Sequence, residues 1–260
     1  MENANMPMLD PNYVPDELKT PYDIIELPSQ GILYPNKLSS VKVEYLTAMD
    51  ESILTSPNLA SSGNMIDVLL KRKIKDLPFD PKDLLVGDRT AIIVFLRTTA
   101  FGEEYAQVVY NENNDSYDDG IINLNELKQK KLTVRPDDNG FFEFTFPVSK
   151  KKVTFKLITG KDEDVIDNKD KELLKRNNNE YSQRIVFTLE QTIQSIDGES
   201  DKLAMSNIIK KLTIKDSRAF RKYITEITPG LDFNTTARTP GGASVACFLR
   251  FNSSFFWPEI

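Results

Sequence analysis

The residues best spaced to hold a ligand run from Asp115 to Glu126, DSYDDGIINLNE. Set against a calcium loop, Asp115 takes the first position, Asp119 the fifth, Gly120 the obligatory glycine, Ile122 the apolar eighth and Glu126 the twelfth. Tyr117 departs from the pattern, because the third position should present an oxygen at short range, and no entering helix precedes the stretch. Two readings follow, a calcium loop through Asp115, Asp119 and Glu126 or a plain hairpin loop. Other acid pairs, Glu103-Glu104 and Asp162-Glu163-Asp164, have the composition for acid–base work, yet the second group is also what a helix start carries. Thr239-Pro240-Gly241-Gly242 is glycine-rich but lacks a lysine and opens no helix, so it reads as a turn and not a phosphate cradle.

The chain has no histidine, and Cys247 is its one cysteine. Ser-His-acid and Cys-His catalysis, His-ligated zinc and the usual proton shuttle near neutral pH are thereby closed. An internal disulfide and a thiolate cluster are closed as well. No dinucleotide, Walker, nucleophile-elbow or HExxH motif occurs. These residues therefore point to no enzyme and to no cofactor.

The 260 residues suit one large or two ordinary domains. A net charge of −6 argues against nucleic acid as the partner, because phosphate neutralisation needs clustered lysine and arginine. The basic runs Lys71-Arg72-Lys73 and Lys150-Lys151-Lys152 have acidic neighbours and read as solvated faces. No apolar run reaches a membrane span, and the start lacks a signal-peptide pattern, so a cytoplasmic setting is expected.

In the sequence pattern the elements that must carry these residues occur twice. Val41 to Leu54, VKVEYLTAMDESIL, matches Val153 to Ile166, VTFKLITGKDEDVI, at an offset of 112. Each copy alternates like a half-buried strand and then switches to helical spacing at Thr47-x-x-Asp50 or Thr159-x-x-Asp162, which read as capped helix starts. Pro35 falls on Pro147 in the same offset. Asn64 with Asp67 suggests another cap. Asp88 is expected to cap an apolar helix over Ala91 to Ala100 that ends at Gly102, and Asp216, a helix and Gly230 repeat that order at an offset of 128. The change of offset requires an insertion, expected near Ile193 to Asp201. Between the copies, Val108 to Gly120 reads as a polar loop, while Phe141–Phe146 and Val153–Ile158 pair as a hairpin.

Two termini are interaction candidates. Residues 1–21 read as an extended, proline-rich arm, either disordered or docking through Tyr13, Val14 and Leu18. The tail carries Phe255, Phe256 and Trp257, buried either in the chain's own domain or against a partner.

Taken together, ELPSQGILYP, VKVEYLTAMDESIL, LLVGDRTAIIVFLRTTAFGEEY, PVSKKKVTFKLITGKDED and the closing FFWP resemble the baseplate hub family of T4-like contractile-tailed phages, in the same order from Glu26 to Pro258. The resemblance implies a non-enzymatic structural protein of the central hub, or an assembly chaperone not retained in the virion. It implies partners among other hub or tail proteins, the tape-measure protein included, leaves a homo-oligomer open, and sets the protein in the virion and in the host cytoplasm during assembly. Members of that family often carry a Cys-Pro-x-Cys-Gly knuckle after each of two related helices. Tyr110-Asn111-Glu112-Asn113 and Thr239-Pro240-Gly241-Gly242 stand there instead, so a metal-free protein is expected. The fold expected is α+β, with an arm (1–21) and two similar halves (22–140 and 141–260) packed as one unit.

Overall fold

The structure is a computed structural model, and it describes residues 20–56, 58, 64–112, 115–250 and 253–256. Helices and antiparallel sheets alternate along the chain, so the α+β expectation holds. Strands β1 (Tyr22–Glu26), β2 (Ser40–Glu44) and β3 (Ile74–Lys75) form one antiparallel sheet. Helix α1 (Ala48–Leu54) follows β2, and α2 (Met65–Lys73) runs directly into β3. Helix α3 (Val86–Phe101) then leads to a long hairpin, β4 (Glu104–Asn111) with β5 (Ser116–Asn123), and to the short β6 (Gln129–Lys130).

From β7 a strand pair, two helices and a third strand follow in the order seen from β1, while the elements after that third strand differ. Strands β7 (Phe142–Thr145), β8 (Lys152–Phe155) and β9 (Ile193–Ile196) form a second three-stranded sheet. Helix α4 (Gly160–Arg176) follows β8, and α5 (Arg184–Thr192) runs directly into β9. Helices α6 (Lys202–Lys210) and α7 (Ile214–Ile227) lead to β10 (Gly230–Leu231) and to a shorter hairpin, β11 (Asn234–Arg238) with β12 (Ser244–Phe248). β10 pairs with β6, and the two hairpins join as β12-β11-β5-β4.

Individual bonds recur as well. Thr47 and Thr159 sit at the N-caps of α1 and α4, and the backbone N–H of each donates to Asp50 or Asp162 at 2.9 Å, as the Thr-x-x-Asp spacing predicts. Leu27 N–H donates to the Ser39 carbonyl, and Phe146 N–H to that of Lys151. Arg72 Nε donates to Asp50 at 3.0 Å, and Gln191 Nε2 to Asp162 at 2.6 Å.

Two expectations about caps need correction. Asp88 and Asp216 are not caps, because the N-cap positions belong to Leu85 and Thr213. Both carboxylates lie in the first helical turn, where the helix dipole favours a negative charge. From there each reaches back to the turn after the first strand of its sheet. Asp88 accepts from Ser29 N–H at 2.9 Å and Asp216 from Val148 N–H at 2.7 Å. That geometry makes Pro28, not Pro35, the residue placed like Pro147, since the β1–β2 connection carries a 3-10 turn at Pro35–Lys37 that the tight β7–β8 connection lacks.

The core is dominated by aliphatic side chains around α3 and by Phe142, Phe146, Phe155 and Phe220 between the second sheet and α7. Phe155 meets Phe220 edge-on at 5.1 Å, a favoured ring geometry. Residues on either side of position 140 share backbone bonds. Val86 N–H donates to Ile158, and Gly160 N–H to Leu84. Gly160 leaves room for Arg89, since a Cβ there would lie 2.6 Å from the guanidinium and displace that end of the side chain. Lys82 spans the same seam, 2.9 Å from Asp67 and 2.6 Å from Asp164.

Candidate functional site

The Asp115–Glu126 stretch is not a loop. Ser116–Asn123 is strand β5, paired along its length with β4, and Leu124–Glu126 is a 3-10 turn. Asp119 lies three strand residues past the turn at Asp115, roughly 10 Å along at about 3.3 Å per residue, so the two carboxylates are not drawn round one ion as a calcium loop draws them. Gly120 is explained by packing instead, since a Cβ there would meet Ala237 Cβ and Val109 Cγ2 at 2.8 Å. Among the described residues no three acidic or thiol side chains converge as a metal site requires.

The remaining candidates disperse. Glu103 accepts a bond from Asn125 at 2.7 Å. Asp162 is held by Thr159, Lys156 and Gln191; burial pushes its carboxyl up, but these donors together bring it below the ordinary range. Asp164 faces Lys82, while burial raises the Glu163 carboxyl. Burial also pushes the Cys247 thiol up, away from the thiolate that nucleophilic chemistry needs. Thr239 to Gly242 turns the β11–β12 hairpin, and Tyr110 to Asn113 begins the β4–β5 turn, with Asn113 outside the described residues. Neither stretch contains a thiol or an imidazole, so neither suits the knuckle of the resembling family.

Of the interface candidates, Phe255 and Phe256 are 1% and 2% exposed. The Phe255 ring lies 5.2 Å from Tyr105, and Arg97 Nε donates to the Phe255 carbonyl at 2.9 Å. Both rings belong to the chain's own core, the first of the two readings left open for the tail, and are not offered to a partner. Tyr13, Val14, Leu18 and Trp257 lie outside the described residues.

What the sequence reading missed is the outward face of the long hairpin. Opposed residues of an antiparallel pair share a face, and Tyr110 opposes Tyr117, Val108 opposes Asp119, and Ala106 opposes Ile121. Tyr117 is 73% exposed, and Val108, Tyr110 and Ile121 are exposed beside it. The two tyrosine rings stand 5.4 Å apart, and the Tyr110 hydroxyl donates to Asp115, which raises its pKa. The inward face buries Tyr105, Val109 and Ile122 but also holds a polar pair, in which Asn111 Nδ2 donates to Asp118 at 2.7 Å. With apolar and polar residues on both faces, the usual strand contrast is blurred, which is why the stretch reads as a polar loop. The available signal was the apolar pair Val108 and Tyr110 at a spacing of two in a stretch that water alone would not select.

Compared with known proteins, the chain matches no family model, no curated protein and no solved structure.

Proposed function

We propose that this chain is a non-enzymatic structural or assembly protein of a contractile phage tail baseplate, working through protein contacts at the central hub. The observation that carries the contact half of this reading is the exposed apolar face of Val108, Tyr110, Tyr117 and Ile121. Apolar residues gathered on one rigid hairpin face mark interaction sites more often than single scattered ones do. The baseplate half rests on the resemblance of the five sequence segments. Two linked halves suit such a role. The paired Thr-Asp caps and the matching bonds of Asp88 and Asp216 support a duplicated scaffold, which offers a partner two related surfaces on one frame. The protein acts in the host cytoplasm during tail assembly and within the virion, without nucleic acid or membrane as partner.

The test is the double variant Val108→Asp, Tyr117→Asp. Both side chains are exposed, so the isolated protein still folds cooperatively, with a melting temperature lowered only by the new carboxylate opposite Asp119, while tail assembly in infected cells fails. Normal assembly by this variant would remove the hairpin face from the account.

A further inference from the structure

A second surface is the open edge of the first sheet. β1 pairs with β2 on one side, and among the described residues no strand pairs with it on the other. Leu27 N–H donates to the Ser39 carbonyl at 2.8 Å and Tyr45 N–H to the Pro21 carbonyl at 2.9 Å. Bonds to β2 therefore fall on alternate residues, Pro21, Asp23, Ile25 and Leu27. The N–H and C=O groups of Tyr22, Ile24 and Glu26 are thereby turned to the open edge. Their side chains share the outward face, where Ile24 is 68% exposed and Tyr22 51%.

β7, the edge placed alike in the second sheet, is guarded by a charge. Phe146 N–H bonds to β8 as Leu27 N–H bonds to β2, so Ile24 and Glu143, each three residues earlier, hold the same place, and both turn to the edge. A charged side chain on an edge strand is a common defence against pairing between sheets. The first sheet has an exposed isoleucine where the second has that carboxylate.

We propose that β1 pairs antiparallel with β1 of a second copy of this chain, about a two-fold axis at Ile24. The register selects a second copy as the occupant. A hydrogen-bonded pair needs an edge-facing residue on both strands, and about Ile24 all three find one. Ile24 meets Ile24 of the second copy, while Tyr22 and Glu26 meet each other reciprocally. Asp23 falls opposite Ile25, so no like charges are opposed. Glu26 of the second copy comes beside the Tyr22 ring, whose face carries Lys42 Nζ at 4.0 Å, and opposite charges then flank one ring. An axis at Asp23 would set two aspartates against each other, and one at Ile25 would bring Tyr22 against Pro28, which has no N–H to give. The pairing uses a different surface from the β4–β5 hairpin, so it stands or falls apart from the baseplate reading.

The test is sedimentation equilibrium of the full chain from about 1 to about 300 μM, because so small an interface associates weakly. The apparent mass is expected to rise from 29.6 kDa toward twice that value. Ile24→Glu copies Glu143 and faces Lys42 within its own chain, so the dilute protein melts as before while association weakens about tenfold or more. Ile24→Val keeps the association, and so does the hairpin variant Val108→Asp, Tyr117→Asp. The register is read by oxidation in a Cys247→Ser background. Ile24→Cys is expected to form a disulfide between copies, since paired Cα atoms lie about 5.5 Å apart, and Tyr22→Cys, displaced along the strand from its own counterpart, is not. A monomer mass at every concentration, association indifferent to Ile24→Glu, or equal cross-linking at the two positions would each overturn the proposal.

Discussion

Asp88, in the first turn of α3, accepts the backbone N–H of Ser29 at 2.9 Å, 59 residues back along the chain. Its other oxygen accepts from the Tyr34 hydroxyl at 2.6 Å, which in turn accepts from Leu85 N–H at 2.7 Å. Asp216, placed alike on α7, accepts from two backbone groups, Val148 N–H and Ser149 N–H. In both places an aspartate ties a helix start to a strand turn, with different partners and opposite electrostatic results.

The two aspartates should titrate with opposite sign. Burial holds the Asp88 carboxyl above its ordinary 3.8, so the fold gains from this group as pH falls from the folded value toward 3.8. For Asp216, burial pushes upward but the N–H donors of Val148 and Ser149 win, and its folded value lies below 3.8. Its contribution is present above 3.8 and is lost as pH falls below it. Urea denaturation between pH 2 and 7 should show Asp88→Asn steepening the acid loss of stability and Asp216→Asn making it shallower.

Asp50 anchors α1 to α2 through a buried pair. Its carboxylate has no exposed surface, and Lys73 Nζ lies 2.6 Å away with Arg72 beside it at 3.0 Å. Burial raises its pKa, but Lys73, Thr47 and Arg72 together lower it to about 2. The associated stabilisation, about 2 kcal/mol, is full above 3.8 and disappears as pH drops toward 2. Asp50→Ala strands a 3% exposed lysine and should cost about 3 to 5 kcal/mol at pH 7, measured by chemical denaturation.

Arg97 is a buried cation that bonds carbonyl oxygens. It is 2% exposed and donates to the carbonyls of Phe255 at 2.9 Å, Gly102 at 3.0 Å and Glu104 at 3.4 Å. Arg97→Leu removes three charge-assisted donations from a buried site and should cost about 2 to 4 kcal/mol, with faster hydrogen exchange confined at first to the C-terminal segment. Arg97→Lys should recover less than half of that loss, because an ammonium lacks the planar fork that serves three carbonyls.

Gly87 marks where α3 meets the end of α7. A Cβ there would lie 1.8 Å from the Pro229 carbonyl oxygen. Gly87→Ala should therefore cost about 3 kcal/mol, although alanine is the better helix former. A melting temperature at or above that of the parent would show that the two segments do not touch.

The parts of this fold legible in sequence are the local ones. Thr47-x-x-Asp50 and Thr159-x-x-Asp162 announce their helices because an N-cap bond spans three residues and needs no distant partner. Where length changed between the halves, local pattern gave no warning. Helix α4 has 17 residues against 7 in α1, and α6 stands after β9 where a 3-10 turn follows β3, neither of which the repeated Thr-x-x-Asp pattern announces. Asp88 reads as a cap because sequence cannot reveal that Ser29 and Tyr34 supply its donors from across the fold. The hairpin face was hidden for the reason that makes it interesting: Val108, Tyr110, Tyr117 and Ile121 point outward, where polar side chains are the rule. Of the candidate site, then, only the residues were visible, and their common face depends on the β4–β5 register.

The central claim, that this chain is a working part of a phage tail baseplate, is tested most directly by quantitative mass spectrometry of purified tailed particles and of tail intermediates from infected cells. The account predicts peptides of this chain at a fixed ratio to the hub proteins in the intermediates, carried into finished particles if it is a structural subunit and lost from them if it is an assembly factor. Its absence from both fractions in cells that express it would contradict the account.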